Sequence, residues 1–388
     1  MTAFTQTDER FLCQALELAR QGIGLASPNP CVGAVLIDAH NHVVGAGSHT
    51  YDGIYHAEVL AIEQAAEKAR GATLYVNLEP CSHQGRTGPC ADAVIAAGIR
   101  RVVACMQDPN PQVSGKGFAR LRGAGIEVVA GLFQDEAKAL NEAFAKYIRH
   151  KTPLVTLKAA MTLDGKIAPP PGNSSTDVPE KATSRMSWIT GEAARAHVQA
   201  LRHQNDAIMV GVGTVIQDDP LLTDRSGLPR RRPLLRIVLD SRLRLPPESR
   251  LVQTAQDDLL VLCSFAEEKR KKQLLRRGVR VEQIPKPTPE GHPDLAAVAD
   301  HLGKMEITSV MIEGGAMVNW AALASGIVDK LFLYYTPRIL GGTTSVPFAA
   351  GTGFPRIADA TRAKSIRVHR FGEDFAVEGY VKDPYDGS

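Results

Sequence analysis

Two α/β domains in tandem are predicted for this chain by three features of its sequence. Its 388 residues are more than one hydrophobic core normally serves. From the N-terminus onward, short β-branched runs alternate with stretches of helical periodicity, the pattern of a layered α/β domain. The alternation halts at the proline of HKTPLV, residues 150–155, and starts afresh with LVTLKAAMTLDGKIA. The boundary is therefore placed at residue 148, giving domains 1–148 and 149–388.

The first domain opens with a helix: between Asp8 and Gln21 the residues Phe11, Leu12, Ala15, Leu16, Leu18 and Ala19 recur at helical spacing, and Gly22 stops it. CVGAVLID and HVVGAGSHT read as strands, HAEVLAIEQAAEKARG as a helix closed by Gly71, ATLYVNLEP as a strand, CADAVIAAGI as a helix and RRVVACMQD as a strand. GFARLRGAG and DEAKALNEAFAKYIR predict helices around the short strand IEVVAG. In the second domain strands are expected at DAIMVG, LLRIVLDS, DLLVLC, VRVEQI, TSVMIEGG, LFLYYTPRI and FAVEGYV, with helices at GEAARAHVQALR and MVNWAALASG. PPPGNSSTDVPEKATS, residues 169–184, is a polar, proline-rich loop of a length usually reserved for lids or disorder. No internal repeat links the two halves.

With 44% hydrophobic and 22% charged residues, usage is that of ordinary globular proteins, which excludes collagen, coiled coil and disorder. The formal charge of +3 is small, and the basic clusters at 229–233 and 267–280 are local. The second of these reads as a solvated helix face, since nucleic-acid binding calls for a broad basic surface with stacking aromatics. The N-terminus has no apolar signal core and no stretch approaches the ~18 uncharged residues of a membrane span, so a cytoplasmic protein is expected. Six cysteines (Cys13, Cys31, Cys81, Cys90, Cys105 and Cys263) are too sparse for a disulfide scaffold. Any paired role is expected to be metal binding.

PCSHQGRTGPC, residues 80–90, sharpens that expectation. His56 and Glu58 stand at the start of one predicted helix, and Cys90 precedes another, where the positive end of the dipole favours thiolate. One imidazole and two thiolates make a tetrahedral zinc site with its fourth position open to water, the mark of a catalytic centre. A structural zinc would need a fourth protein ligand, for which His83 is the candidate. Glu58 argues for catalysis: a carboxylate two residues from a zinc histidine is placed to carry protons between water and a leaving amine.

H-x-E followed by P-C and a second cysteine is the signature of zinc deaminases acting on nucleobases. Here eight residues separate Cys81 from Cys90, where the nucleic-acid-editing and cytidine enzymes usually have two. With NPCVGAV at 29–35, GSHTYDGIYHAE at 47–58, EPCSHQGRTGPC at 79–90 and QDPNPQVSGKG at 107–117, the chain strongly resembles the bifunctional deaminase-reductase family of riboflavin biosynthesis, over nearly all its length. The resemblance implies a cytidine-deaminase-like α/β/α first domain, with His56, Cys81 and Cys90 on zinc and Glu58 as proton shuttle. It further implies that Asn29, His49, His83, Asp108 and Asn110 hold the pyrimidine and its ribose phosphate. Arg86 stands where some members have lysine, and either cation can meet a phosphate.

In the second domain GVGTVIQDDP, residues 211–220, is a weak dinucleotide fingerprint, because Ile216 stands where the third small residue belongs. VMIEGGAMVNWAAL is a better phosphate cradle: a strand runs through Gly314 and Gly315 into a helix, leaving free amides for an anion, although a ligand-free turn would read the same. TLKAAMTLDGKIA, SWITGEAAR, GVGTVIQDDPLLTDR, RIVLDS and VMIEGGAMVN resemble the reductase half of the family, whose fold is similar to dihydrofolate reductase. That resemblance implies NADPH lined by Ala160, Trp188, Thr214, Asp218, Ser241 and the run Gly315, Ala316, Met317, Val318 and Asn319. It places Arg202, Leu222, Arg225 and Glu313 on the substrate, with the two arginines on its phosphate. The proton donor of this site is not identified by the motifs; Asp218 and Glu313 are candidates. Met186 stands where members often have a substrate-binding serine, for which Ser184 or Ser187 can substitute.

The expected activity is hydrolytic removal of the exocyclic amine from a diaminopyrimidinone ribosylamine phosphate, then NADPH reduction of the product's ribosyl group to ribityl. Small-molecule substrates, no nucleic acid, no membrane and self-association are the expected partners. The rivals are an editing deaminase with an appended binding module, and a zinc-stabilised binding protein that would leave Glu58 without purpose.

Overall fold

The computed structural model describes residues 4–170, 188–285 and 287–386, so the Ser184, Met186 and Ser187 readings and most of the 169–184 loop lie outside the described residues. The chain forms two compact units: Met1–Lys151 with Pro229–Arg232, and Thr152–Leu228 with Pro233–Ser388.

The first unit comprises α1 (Gln6–Arg20), β1 (Gly33–Ile37), β2 (Val43–Ser48), α2 (Ala57–Ala65), β3 (Thr73–Leu78), α3 (Cys90–Ala96), β4 (Arg101–Met106), α4 (Lys116–Gly123), β5 (Glu127–Ala130), α5 (Gln134–Leu140) and α6 (Glu142–His150). Its sheet has the order β2-β1-β3-β4-β5, with β1 antiparallel to both neighbours and β3, β4 and β5 parallel. Thr5 and Asp8 form a capping box at the start of α1. Glycines let the helices close on the sheet. A Cβ on Gly33 would lie 2.2 Å from the Ala15 carbonyl oxygen, and on Gly45 or Gly47 it would lie 2.0 Å or 2.3 Å from those of Ala61 and Ala57. That close seat for α2 fixes the helix carrying the candidate catalytic residues.

Two details differ from the sequence reading. The helix begun at His56 stops at Ala65, because Ala66 adopts φ 49° and a short 3₁₀ turn follows. The run DEAKALNEAFAKYIR breaks at Asn141, whose side-chain oxygen accepts from the Cys31 amide while its nitrogen donates to the Cys31 carbonyl. The fully satisfied side chain pins the segment preceding β1.

The second unit contains β6 (Leu154–Thr162), β7 (Lys166–Ala168), α7 (Glu192–Gln204), β8 (Ala207–Gly211), α8 (Val212–Asp218), β9 (Leu235–Leu239), α9 (Arg250–Gln253), β10 (Leu259–Cys263), α10 (Glu268–Leu275), β11 (Arg280–Gln283), α11 (Leu295–Lys304), β12 (Ser309–Ile312), α12 (Ala316–Ala324), β13 (Lys330–Thr336), β14 (Val346–Pro347), β15 (Lys364–Phe371) and β16 (Asp374–Tyr380). Nine strands form one sheet in the order β11-β10-β9-β8-β12-β6-β13-β16-β15, parallel from β11 to β13 and antiparallel thereafter. Ile208 and Val210 of β8 join one apolar cluster and Met209 the other, so both faces of the parallel region are buried. The basic helix α10 buries only Leu274, as a solvated face should. The sequence reading passed over α11 and β15. The first has a legible cap, Asp294 accepting from the Ala296 and Ala297 amides. The second is largely exposed and lacks an apolar signal.

Candidate active sites

In the first unit β3 ends at Leu78 and delivers Glu79, Pro80 and Cys81; α2 begins just after His56 and α3 begins at Cys90. The three elements converge so that donor atoms of His56, Cys81 and Cys90 all lie within 4.8 Å of one another, the one such cluster among the described residues. His56 Nδ1 is 3.1 Å from Cys90 Sγ and 3.6 Å from Cys81 Sγ. Hydrogen bonding from Cys90 holds the Cys81 thiol down to about 4, the Cys90 backbone amide donates to the same sulfur at 3.3 Å, and the shared pairing pushes Cys90 up. The Cys81 sulfur in turn raises His56. A divalent cation would take the place of the protons these groups share, and the donor set and its compactness fit zinc. His83, the fourth-ligand candidate, is exposed and stands outside the cluster.

Glu58, one residue into α2, is 3% exposed, and its Oε2 has no hydrogen-bond partner among the described residues. Burial pushes its carboxyl up to about 7. A buried carboxyl poised between its two protonation states beside a metal-type cluster is equipped to accept and return a proton. His49 lies beside the cluster, its ring 5.0 Å from that of His56. His49 Nδ1 donates to the Tyr55 carbonyl and Nε2 accepts from Asn29 Nδ2 at 3.0 Å, and burial lowers its basicity, so it is a neutral, oriented ring. Asp108 is buried and raised to about 6 by that burial, and its Oδ1 accepts from the Asn110 amide. Arg86 donates to the Tyr51 carbonyl with its guanidinium 4.6 Å from the Tyr51 ring centroid; Arg231, also of this unit, lies 3.7 Å from the same centroid and pairs with Asp52.

In the second unit β8 and β12 are neighbours, each followed by a helix. The N-terminus of α12 is capped by Gly315 without a side-chain bond, and a Cβ there would lie 3.5 Å from Thr214 Oγ1 on α8. Bare amides, small residues and a hydroxyl thus meet at the C-terminal edge of a parallel sheet, which fits the phosphates of a dinucleotide. Ala160 lies on β6 opposite Tyr334, Met317 and Trp188 are exposed, Val318 is half-buried against Gly211 and Gly314, and Asp218 is on the exposed last turn of α8. Asn319 is fully buried and its Nδ2 donates to the Phe348 carbonyl, so this side chain anchors the β14 segment.

Arg202 reads differently in three dimensions. Its Nε and Nη2 donate to the two Glu313 oxygens at 2.8 and 3.1 Å and its Nη1 to the Thr223 carbonyl, so its guanidinium is turned into the protein. Lys158 Nζ, in a stretch with no motif to mark it, is 3.4 Å from Glu313. Burial alone would raise Glu313, but Lys158 and Arg202 hold it down to about 2. An ionised carboxylate is not an acid at neutral pH, which corrects its candidacy as proton donor. Arg225 is exposed, its amide bonded to Gln199, and Leu222 is buried with φ 52°.

Two family models match these units separately: the cytidine and deoxycytidylate deaminase zinc-binding region over residues 5–106, and the RibD C-terminal domain over residues 153–377. The riboflavin biosynthesis protein RibD of Actinobacillus pleuropneumoniae is 41% identical over 380 residues, 98% of this chain and 97% of its own length. The chain belongs to the RibD family. The RibD of Escherichia coli K12 is likewise 41% identical, covering 95% of this chain and 97% of its own. Among solved structures, Acinetobacter baumannii RibD has a TM-score of 0.80 at 35% identity, covering 97% of this chain and 99% of the other. A diaminohydroxyphosphoribosylaminopyrimidine deaminase/5-amino-6-(5-phosphoribosylamino)uracil reductase from Thermotoga maritima has a TM-score of 0.78 at 35% identity, covering 96% and 98%. As a RibD the chain pairs a zinc-dependent deaminase with an NADPH-dependent reductase, in the cytidine-deaminase-like and reductase folds expected.

One residue of the RibD deaminase unit escaped the sequence reading. Glu79, 3% exposed, accepts from the backbone amides of Asp108, Gly115 and Phe118 at 3.1, 2.9 and 3.1 Å. It thereby caps α4 and holds the loop that carries Asp108 and Asn110. A charged residue closing an otherwise apolar strand was the available signal.

Proposed function

We propose that this chain deaminates 2,5-diamino-6-(5-phosphoribosylamino)pyrimidin-4(3H)-one in residues 1–148 and reduces the ribosyl side chain of the resulting 5-amino-6-(5-phosphoribosylamino)uracil in residues 149–388. The observation that carries the reading is Glu58, a buried carboxylate beside the His56, Cys81 and Cys90 cluster. Zinc, when bound, supplies the charge that makes water nucleophilic near neutral pH. Glu58 accepts the proton of the attacking water and returns it to the departing amine. His49, fixed by the Tyr55 carbonyl, accepts from Asn29 and so orients the Asn29 amide that meets the pyrimidine. Asp108, Asn110 and His83 orient the ring and ribose, and Arg86 meets the phosphate.

NADPH, when bound, supplies the hydride. Gly315 to Val318, Thr214, Ala160, Trp188, Asp218 and Ser241 seat it. Leu222 and Arg225 hold the substrate, with Arg225 on its phosphate, and Arg202 orients Glu313. Lys158 Nζ, 3.4 Å from Glu313, is the donor that this network orients toward the sugar oxygen. The chain acts in the cytoplasm on small molecules without nucleic acid; its small net charge supports this, and no helix among the described residues is long and apolar enough to cross a membrane. Self-association is supported by β15, an edge strand exposing Ile366 and Val368.

Chelating the metal from purified protein tests the assignment. Deamination should stop and return with added zinc, while reduction of separately prepared aminouracil phosphate by NADPH continues. Active deaminase without a transition metal would defeat it.

A further inference from the structure

Beyond the phosphate cradle at β8 and β12, the sheet offers a second polar constellation at the ends of the next two strands, β9 and β10. Ser241 follows the C-terminal end of β9, and its Oγ is 2.8 Å from Nδ1 of His292. His292 comes from the 285–294 connection, where a tight turn holds it: Gly291 donates to the Thr288 carbonyl, the Thr288 amide to the His292 carbonyl, and the His292 amide to Thr288 Oγ1. The Ser241 carbonyl accepts from the Phe265 amide at 3.0 Å, and Phe265, just past the end of β10, has a ring 63% exposed. Arg242 and Arg244 are exposed on the same turn. A hydroxyl, an imidazole, two guanidinium groups and an open aromatic face thus collect at one edge. Strands in a sheet are ~4.8 Å apart, so β9 lies roughly 5–10 Å from the two cradle strands, within the span of one dinucleotide.

We propose that Ser241 and His292 form the recognition site for the 2′-phosphate of the dinucleotide, with His292 the residue that sets the preference for NADPH over NADH. The inference rests on the reading of Ser241 as a cofactor residue and adds a partner that the sequence did not suggest. With Nδ1 committed to Ser241, Nε2 is the nitrogen left to face outward. If the serine hydroxyl donates to Nδ1, the ring proton resides on Nε2; if the ring is an imidazolium, both nitrogens carry protons. In both of these states Nε2 donates; in the remaining tautomer, where Nδ1–H donates to the serine oxygen, the Ser241 hydroxyl is the group left to donate, and in each case a dianionic phosphomonoester is the acceptor that gains most from it. NADH offers only a hydroxyl at that position. Phe265 supplies a face for the adenine, which the two cofactors share and which therefore does not discriminate.

The test is calorimetric titration of the full chain with NADPH, NADH, adenosine 2′,5′-bisphosphate and adenosine 5′-monophosphate. His292→Ala should weaken NADPH and the bisphosphate about 10- to 100-fold, the order for a lost charge-assisted hydrogen bond, and leave NADH and the monophosphate unchanged. Ser241→Ala should show the same selectivity with a smaller effect. Equal weakening of all four ligands, or no change in any, would overturn the assignment of His292 while leaving the NADPH reading intact. Wild-type protein that binds NADPH no better than NADH would remove the cofactor preference itself and this inference with it.

Discussion

Replacing Glu58 by glutamine separates proton transfer from metal binding and from folding. The two side chains have the same shape, and Glu58 is not among the cluster's donor residues. Glutamine at a 3%-exposed position removes a buried ionisable group without opening a cavity, so zinc content and melting temperature should stay near wild type. General acid–base catalysis is worth about 100- to 10,000-fold. The surroundings point to the upper part of that range: Oε2 has no partner among the described residues that could take over, and His49, beside the cluster, is already committed at both ring nitrogens. The expected loss in kcat is about 1,000- to 10,000-fold, or roughly 4–5 kcal/mol of barrier. Ammonia release gives the rate, metal analysis the zinc stoichiometry, and NADPH oxidation with the deaminated substrate serves as an internal control for the second unit. A zinc-loaded Glu58→Gln protein that deaminates within tenfold of wild type would refute the role assigned to this carboxylate.

Two further substitutions probe the first unit. Glu79→Gln loses the charge that caps α4 and holds the Asp108 loop, so KM for the deaminase substrate should rise about tenfold with kcat and zinc content little changed; an unaltered KM would show that the loop holds itself. Asp8, fully buried, is raised by its burial but brought down to about 2 by the Arg101 guanidinium, the Thr5 amide and Tyr75. A depressed folded-state value gives stability present above about pH 4 and lost as pH falls towards 2, worth about 1–2 kcal/mol once the partial exposure of Arg101 is allowed for. Asp8→Asn should therefore lower the urea midpoint at pH 7, with the gap from wild type narrowing below about pH 4 and closing only as pH falls through about 2; a gap independent of pH would mean that the ion pair adds nothing.

What could be read in the sequence was what repeats or what touches metal. The 2.0 and 3.6 periodicities mark strands and helices because burial selects every second or every third to fourth residue, and His56, Glu58, Cys81 and Cys90 stand out because few side chains perform their chemistry. Glu79 and Lys158 were not legible: their importance lies in backbone amides and a carboxylate brought to them from distant segments. Arg202 shows the converse, a residue that the family resemblance set on a phosphate and whose folded partners are Glu313 and Thr223. Asn141 looked like one more helical residue, and only its two bonds to Cys31 explain the break.

The place of β6 in its sheet bears on how the protein is made. It is the first strand of the second unit to leave the ribosome, yet its neighbours are β12 and β13, with Leu154 opposite Ser309 and Lys158 opposite Phe332. Val155, Leu157, Ala159 and Met161 must therefore wait, unpaired and apolar, until nearly the whole chain has been synthesised. Closing so many non-local parallel pairs late is intrinsically slow and leaves strand edges open to wrong partners in the meantime. Overexpression faster than chaperone capacity should direct this protein to inclusion bodies, and slower synthesis at low temperature should recover it.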